Sequence, residues 1–233
     1  MTLYTSFADK LELARHAAAQ WLDRLVRHDH SKPFTVALSG GRIPKLLYEA
    51  MVALSQRSDF DNVHFFWGDE RIVPSTDEES NFKLADLGLF QPLDVSPGQV
   101  HRVLTEHSES EAVQIAIDEL KQFAESHVNG QPAIDLVFLG MGEDGHVASL
   151  FPDDTEAVGS QAVYRAVIGP KPPPRRITLG SPALAAAREV WVLASGEGKA
   201  EALRNSLAKD GDTPLARVLQ SREQTEILTD FDV

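Results

Sequence analysis

The chain has 233 residues, enough for one large domain or two small ones, and we expect a single α/β domain over residues 1–233. Its formal net charge of −13 argues against nucleic acid or an anionic membrane as a general partner, because neither is attracted to an acidic surface. The absence of cysteine excludes disulfides and thiolate chemistry. No apolar run is long enough to span a bilayer and the first residues lack a secretory-type apolar segment, so we expect a cytoplasmic protein.

Segments with the apolar spacing of a helix alternate along the chain with short apolar segments typical of strands. The first such segment has apolar residues three and four positions apart, which indicates an amphipathic helix that Thr5 or Ser6 could cap. Pro44 suits the first position of the second helix. The alternation predicts a three-layer, mainly parallel, Rossmann-like sheet with helices on both faces. Predicted helices span 8–26, 45–55, 81–87, 109–128, 182–188, 199–208 and 214–219, and predicted strands span 34–38, 63–67, 100–103, 134–139, 162–168, 177–179, 189–193 and 226–228.

The stretch after the predicted strand at 134–139 combines glycines with an acid and an imidazole: Gly140, Gly142, Gly145, Asp144 and His146. We expect the glycines to adopt positive φ and to leave room for a ligand. They match the G-x-G-x-x-G pattern of dinucleotide-binding loops, but Pro152 prevents the long helix that such loops require, and residues 160–168 contain no carboxylate. The stretch therefore indicates either a catalytic loop or a tight structural turn with an exposed histidine.

Three other predicted strands end in polar segments that contain glycine: Ser39-Gly40-Gly41-Arg42, Gly68-Asp69-Glu70-Arg71 and Ser195-Gly196-Glu197-Gly198-Lys199. The first presents free amides at a helix start, as a phosphate site does, although an ordinary turn with a capping serine has the same sequence features. The second is typical of a solvated charged face, and the third of a capped helix with a surface lysine. Because parallel strands end at one edge of a sheet, we expect all four segments to meet at one crevice.

The chain contains six notable segments, in the order L-S-G-G-x-x-P at 38–44, G-D-E-R-x-V-P at 68–74, S-N at 80–81, G-M-G-x-D-G-H-x-A-S-L-F-P at 140–152, K-P-P-P-x-R-I-T at 171–178 and S-G-x-x-K at 195–199. In this order they resemble the glucosamine-6-phosphate isomerase/6-phosphogluconolactonase superfamily, over about residues 34–207. The residues after the shared histidine, 147–152, are similar to the lactonase branch, whereas the deaminases carry I-A-F-N-E-P there. Arg42, Glu143, Val147 and Gly180 depart from the usual pattern.

The resemblance implies hydrolysis of 6-phospho-D-glucono-1,5-lactone to 6-phospho-D-gluconate, without a metal or cofactor. His146 would be the general base for water, with Asp144 orienting it. Asp69 is the alternative base, because a carboxylate at this place in the deaminase branch shuttles protons. Arg71 and the amides of the glycine-rich loop would stabilise the oxyanion. The expected substrate- and phosphate-binding residues are Ser39, Gly40, Gly41, Arg42, Gly142, Gly145, Arg176 and Lys199.

Two other functions would use the same phosphate site. One is a phosphosugar isomerase or deaminase, and the other is a non-catalytic phosphosugar sensor. Such a sensor is usually joined to a DNA-binding helix-turn-helix, and we expect the domain to begin within a few residues of Met1. The presence of both Asp144 and His146 favours catalysis. The expected partner is a small phosphosugar lactone, with no nucleic acid or membrane partner.

Overall fold

The computed structural model describes residues 2–233, and in that range it contains seven α-helices and eleven strands. The helices are α1 (Lys10–Arg27), α2 (Arg42–Leu54), α3 (Asn81–Ala85), α4 (Glu109–Phe123), α5 (Ser181–Ala186), α6 (Ala200–Leu207) and α7 (Pro214–Gln220). The strands are β1 (Thr2–Ser6), β2 (Phe34–Leu38), β3 (Val63–Trp67), β4 (Asp69–Arg71), β5 (His127–Val128), β6 (Gln131–Pro132), β7 (Leu136–Gly140), β8 (Tyr164–Ile168), β9 (Arg175–Leu179), β10 (Glu189–Ala194) and β11 (Thr225–Thr229).

The main sheet has six strands in the order β1-β11-β10-β7-β2-β3, and every pair in it is parallel. The chain adds β3 on one side of β2, and then crosses over to place β7, β10 and β11 on the other side. The strand order therefore reverses between β2 and β7, and the loops that leave these two strands diverge. Open parallel sheets bind ligands in the crevice that such a divergence creates.

Helices cover both faces of the main sheet, which confirms the predicted three-layer α/β fold. On one face, α1 and α2 bury Trp21 and Leu47 against β2 and β3. On the other face, α4 and α5 bury Leu120 and Leu184 against β7 and β10. Each such side chain contributes about 1.5–3 kcal/mol through removal from water. Within residues 2–233, no helix has both the length and the apolar composition needed to cross a bilayer.

A small antiparallel sheet, in the order β4-β9-β8, lies beside the end of β3. Gly68 separates β3 from β4, so the chain leaves the main sheet within one residue. The register of β4 on β9 places Arg71 directly opposite Arg176 and Asp69 opposite Thr178. Two side chains more than 100 positions apart in sequence are thereby fixed side by side.

Several predicted boundaries at the start of the chain are wrong. Helix α1 begins at Lys10 and is capped by the Asp9 carboxylate rather than by Thr5 or Ser6. Thr5 and Ser6 belong to β1, an edge strand whose exposed residues show no apolar alternation. Helix α2 begins at Arg42 rather than at Lys45, because Gly41, with φ of 106°, turns the chain abruptly into the helix.

Two further predictions in the middle of the chain are wrong. Helix α4 ends at Phe123 rather than at Val128, because the backbone becomes extended at Ala124. Residues 127–132 instead form the short hairpin of β5 and β6, in which Asn129 and Gly130 adopt positive φ. Asn-Gly is the preferred pair for such a two-residue turn. Residues 100–103 do not form a strand, and only Val100 makes an isolated bridge to β3.

Candidate active site

A cleft of about 820 Å³ lies at the carboxyl ends of β10, β7, β2 and β3, which are four neighbouring strands of the main sheet. All four polar segments identified in the sequence contribute to its wall. Asp144 and Gly145 do not line it. The ten other predicted site residues do: Ser39, Gly40, Gly41, Arg42, Asp69, Arg71, Gly142, His146, Arg176 and Lys199.

His146 and Asp144 form a hydrogen-bonded pair on the loop after β7. The Nδ1 atom of His146 lies 2.5 Å from Oδ1 of Asp144, and the His146 amide donates to the same oxygen at 3.2 Å. Burial favours the neutral form of Asp144, but the bonds from His146 outweigh this effect and hold the pKa of the carboxyl below its ordinary value. Because an ionised carboxylate only accepts hydrogen bonds, Nδ1 carries the proton and Nε2 is the basic nitrogen.

The Nε2 atom of His146 is available to a ligand. The side chain is 30% exposed and lines the cleft, and Nε2 makes no hydrogen bond to any group within residues 2–233. The ring of Phe151 packs against the imidazole with 5.1 Å between ring centroids, which limits its rotation. The pair therefore presents an oriented base to the cleft.

The glycines of this loop differ in what they provide. Only Gly145 has positive φ, at 77°, so the prediction of positive φ is wrong for Gly140 and Gly142. A Cβ atom on Gly142 would lie 2.1 Å from Nδ1 of His146 and 2.6 Å from Oδ1 of Asp144. Gly142 is therefore the residue that leaves space for the hydrogen-bonded pair.

Asp69 is buried at the cleft wall, and protein groups already surround its carboxylate. Oδ2 accepts a hydrogen bond from the Ser149 hydroxyl at 2.5 Å and lies 4.0 Å from Nη1 of Arg176. Oδ1 lies 3.5 Å from the side-chain nitrogen of Asn81. This environment suits a carboxylate that anchors neighbouring side chains.

Arg176 and Arg71 face the cleft from adjacent strands. The Nε atom of Arg176 donates to the Pro173 carbonyl at 3.1 Å, and Nη2 donates to the Lys171 carbonyl at 3.3 Å. Burial lowers the pKa of Arg176 and neighbouring Arg71 adds to this, while Asp69 opposes it. Like charges directly opposite each other in a sheet repel, so this pair is suited to an anion between or beside the two guanidinium groups.

Two buried polar atoms in the cleft lack a partner among residues 2–233. They are the hydroxyl of Ser39, at the end of β2, and Nε of Arg71. A buried donor without a partner costs about 1–3 kcal/mol, so such atoms commonly satisfy a ligand. Ser39 belongs to the segment that the sequence indicates as a phosphate site, and Arg71 lines the same cleft.

The cleft is locally cationic although the chain is acidic. Six cationic side chains and three carboxylates line it, against a net charge of −13 for the whole chain. Burial lowers the pKa of Lys199, and the positive charge of Arg42 adds to this shift, while Asp230 and Glu143 oppose it. This excess of positive charge resolves the conflict between an acidic protein and an anionic ligand.

Within residues 2–233, no group of three or more His, Asp or Glu side chains is arranged to hold a metal ion. The donors that line the cleft are instead guanidinium, ammonium, hydroxyl and amide groups, which bind oxyanions.

Several residues around the cleft were not among the predicted site residues, and three of them hold other groups of the site in place. Asn81 lines the cleft, Ser149 holds Asp69, and Glu70 accepts the backbone amide of Asn81 at 2.8 Å. All three lie within the segments that carry the family resemblance, at 80–81, 140–152 and 68–74. Membership in these segments was the sequence feature that could have identified the three residues. The residue types around each of them do not indicate a contact with the site.

Known proteins share this architecture. A sequence model described as glucosamine-6-phosphate isomerases/6-phosphogluconolactonase matches residues 8–227. The chain is 38% identical over 206 residues to the 6-phosphogluconolactonase of Mycobacterium tuberculosis, covering 84% of this chain and 82% of that protein. It is also 38% identical over 218 residues to the 6-phosphogluconolactonase of Streptomyces coelicolor, covering 88% and 82%. The crystal structure of 6-phosphogluconolactonase from Thermotoga maritima superposes with a TM-score of 0.85 at 28% identity, covering 98% of this chain and 99% of that one. The chain belongs to the glucosamine-6-phosphate isomerase/6-phosphogluconolactonase family.

Proposed function

We propose that the protein hydrolyses 6-phospho-D-glucono-1,5-lactone to 6-phospho-D-gluconate, the second step of the oxidative pentose phosphate pathway. Its relatives in Mycobacterium tuberculosis and Streptomyces coelicolor carry the name of this activity. The observation that carries the proposal is the His146–Asp144 pair, whose free Nε2 faces a cleft with an excess of cations. A lactone ester with a remote phosphate needs this combination of a base and an anion site.

His146 acts as the general base. Its Nε2 takes a proton from water as the water oxygen attacks the lactone carbonyl carbon, and Asp144 stabilises the imidazolium that forms. When the tetrahedral intermediate collapses, the bond between the carbonyl carbon and the ring oxygen breaks. The imidazolium returns its proton to that oxygen, which leaves as the hydroxyl of the open-chain acid. This role is worth about 10²–10⁴ in rate.

Cationic groups stabilise the two anionic parts of the substrate. Arg71 serves the oxyanion, since it lines the cleft and its Nε makes no hydrogen bond among residues 2–233. The amides of Gly142 and Gly145 are not available for this role, because they already donate to the carbonyls of His146 and Gly142, at 2.9 and 3.1 Å. The phosphate lies on the Ser39 hydroxyl and the amides of Gly40 and Gly41. Arg42, Arg176 and Lys199 supply the positive charge at this end. Binding energy from the remote phosphate orients the reacting carbonyl.

Asp69 serves as an anchor rather than as the base. It is 6% exposed, and its carboxylate already accepts from Ser149 and lies beside Arg176 and Asn81. A base that must reach a water molecule needs a free lone pair in the cleft, which His146 has.

We also propose that residues 1–233 work as one domain. The cleft needs the loops after β2 and β10, which lie far apart in the chain, and both strands belong to the same sheet.

The test follows the decay of freshly generated 6-phosphogluconolactone by NMR, because this lactone also opens without a catalyst. Wild type, His146→Ala, His107→Ala and a sample without protein are compared. His107 is exposed and outside the cleft, so it provides a matched histidine control. We expect strong acceleration by wild type and His107→Ala, and a loss of at least about 10² in rate for His146→Ala. Background decay with folded wild type would exclude the activity, and full turnover by His146→Ala would exclude this base.

A further inference from the structure

The carboxylate of Glu70 is buried between β4 and α3, where it collects four hydrogen-bond donors. Glu70 is 2% exposed. Its Oε1 accepts from the amides of Arg71 and Asn81 at 2.7 and 2.8 Å. Its Oε2 accepts from the Phe82 amide at 2.7 Å and from the Ser80 hydroxyl at 3.2 Å. Glu70 itself does not line the cleft.

One of the residues that donate to Glu70, Asn81, lines the cleft. The side-chain nitrogen of Asn81 donates to the backbone oxygen of Asp69 at 2.8 Å. Its Oδ1 lies 1.8 Å from the point that a Cβ on Gly40 would occupy, so the Asn81 amide fills the space that a side chain at position 40 would need. Asn81 therefore joins the glycine segment after β2 to the segment after β3.

We infer that Glu70 is a positioning residue for the phosphate end of the cleft, acting through Asn81 on Gly40. The ligand at that end follows from the proposed function, and the inference rests on it to that extent. Glu70 fixes the main chain of Asn81, and Asn81 in turn sets the place of Gly40 and Asp69. It also holds the amide of Arg71, so one carboxylate organises two walls of the cleft.

The chemistry of the four contacts requires a carboxylate. Both oxygens of a carboxylate accept, and each oxygen of Glu70 has two donors in front of it. A glutamine of the same shape accepts at one oxygen only, and its NH₂ group would face the other two donors. Glu70→Gln therefore displaces the start of α3 while adding almost no change in volume.

The experiment measures steady-state kinetics on the fresh lactone and the Kd for 6-phosphogluconate by calorimetry. The variants are Glu70→Gln, Asn81→Ala and the double variant. We expect Glu70→Gln to raise KM and Kd about tenfold, the effect of one misplaced buried polar contact, with a smaller change in kcat. Asn81→Ala should have a similar effect. In the double variant, KM and Kd should lie within about twofold of Asn81→Ala alone, because the two residues act in series.

Asp135→Asn is the matched control. Asp135 is another carboxylate that accepts a backbone amide, from Thr35 at 2.8 Å, but it precedes β7 and so lies at the opposite edge of the sheet. Its amide variant should lose stability and leave KM and Kd within about twofold of wild type. A general loss of rigidity would instead raise KM in both variants.

Each outcome decides the inference. The inference is overturned if folded Glu70→Gln has the KM and Kd of wild type. It is also overturned if the effects of the two substitutions multiply in the double variant, or if Asp135→Asn raises KM as much as Glu70→Gln does. If Glu70→Gln does not fold, an unchanged Kd in Asn81→Ala overturns it. If wild type binds 6-phosphogluconate but does not open the lactone, the proposed function is wrong. The role of Glu70 is then still tested by the Kd values of the variants. Failure of wild type both to open the lactone and to bind 6-phosphogluconate overturns both the proposed function and the inference.

Discussion

A single methyl group at Gly142 should disable the His146–Asp144 pair. In Gly142→Ala the new Cβ would lie 2.1 Å from Nδ1 of His146 and 2.6 Å from Oδ1 of Asp144, well inside contact distance. Gly142 does not have positive φ, so alanine is compatible with the backbone. We therefore expect the fold to persist while the imidazole turns away from the cleft.

The size of the effect follows from the role of the imidazole. General-base catalysis contributes about 10²–10⁴, which corresponds to about 3–5 kcal/mol of transition-state stabilisation. Loss of the oriented Nε2 should therefore lower kcat at least about a hundredfold. KM should stay within about threefold, because the phosphate-binding groups lie on other strands.

The NMR lactone assay measures this effect, with circular dichroism to verify folding. Gly98→Ala is the control, since a Cβ there meets no atom within 4 Å and Gly98 does not line the cleft. The variant that combines Gly142→Ala with His146→Ala should be no slower than His146→Ala alone, because both changes remove the same group. Turnover by folded Gly142→Ala within threefold of wild type would refute the reasoning.

Two further predictions concern stability away from the cleft. Burial and neighbouring His101 lower the pKa of His64 from 6.5 to about 4, so stability from neutral His64 is complete above pH 6.5 and is lost as the pH falls through 4. From these two pKa values, wild type should lose about 2 kcal/mol of unfolding free energy through His64 between about pH 8 and pH 5. Urea unfolding of His64→Gln at the two pH values should therefore show a loss that is smaller by this amount, and an equal loss in both proteins would contradict the prediction. Arg222 donates to the carbonyls of Leu184, Ala185, Ala187 and Arg188 at the end of α5. Arg222→Met should lose about 2–3 kcal/mol of unfolding free energy with kcat/KM unchanged, whereas exposed Arg204→Met should lose almost none; equal stability of the two variants would disprove the capping role.

Local pattern in the sequence was enough to predict the α/β fold and the loops that meet at the cleft. Helical and strand periods are properties of a few successive residues, and the shared direction of parallel strands brings their ends together. The 140–146 loop was identifiable for the same reason, since Asp144 and His146 are two positions apart and bond directly. Boundaries failed where local backbone conformation overrode the period, as positive φ at Gly41 and the extended backbone at Ala124 show.

The partners of each site residue were decided only by tertiary structure. Ser149 binds Asp69 across 80 positions, and Arg176 meets Arg71 because β9 pairs with β4 in one register. Register depends on the simultaneous packing of many residues, and a shift by one position would turn these side chains to the other face. The sequence by itself therefore determined which segments carry the chemistry, and folding determined which of their atoms meet.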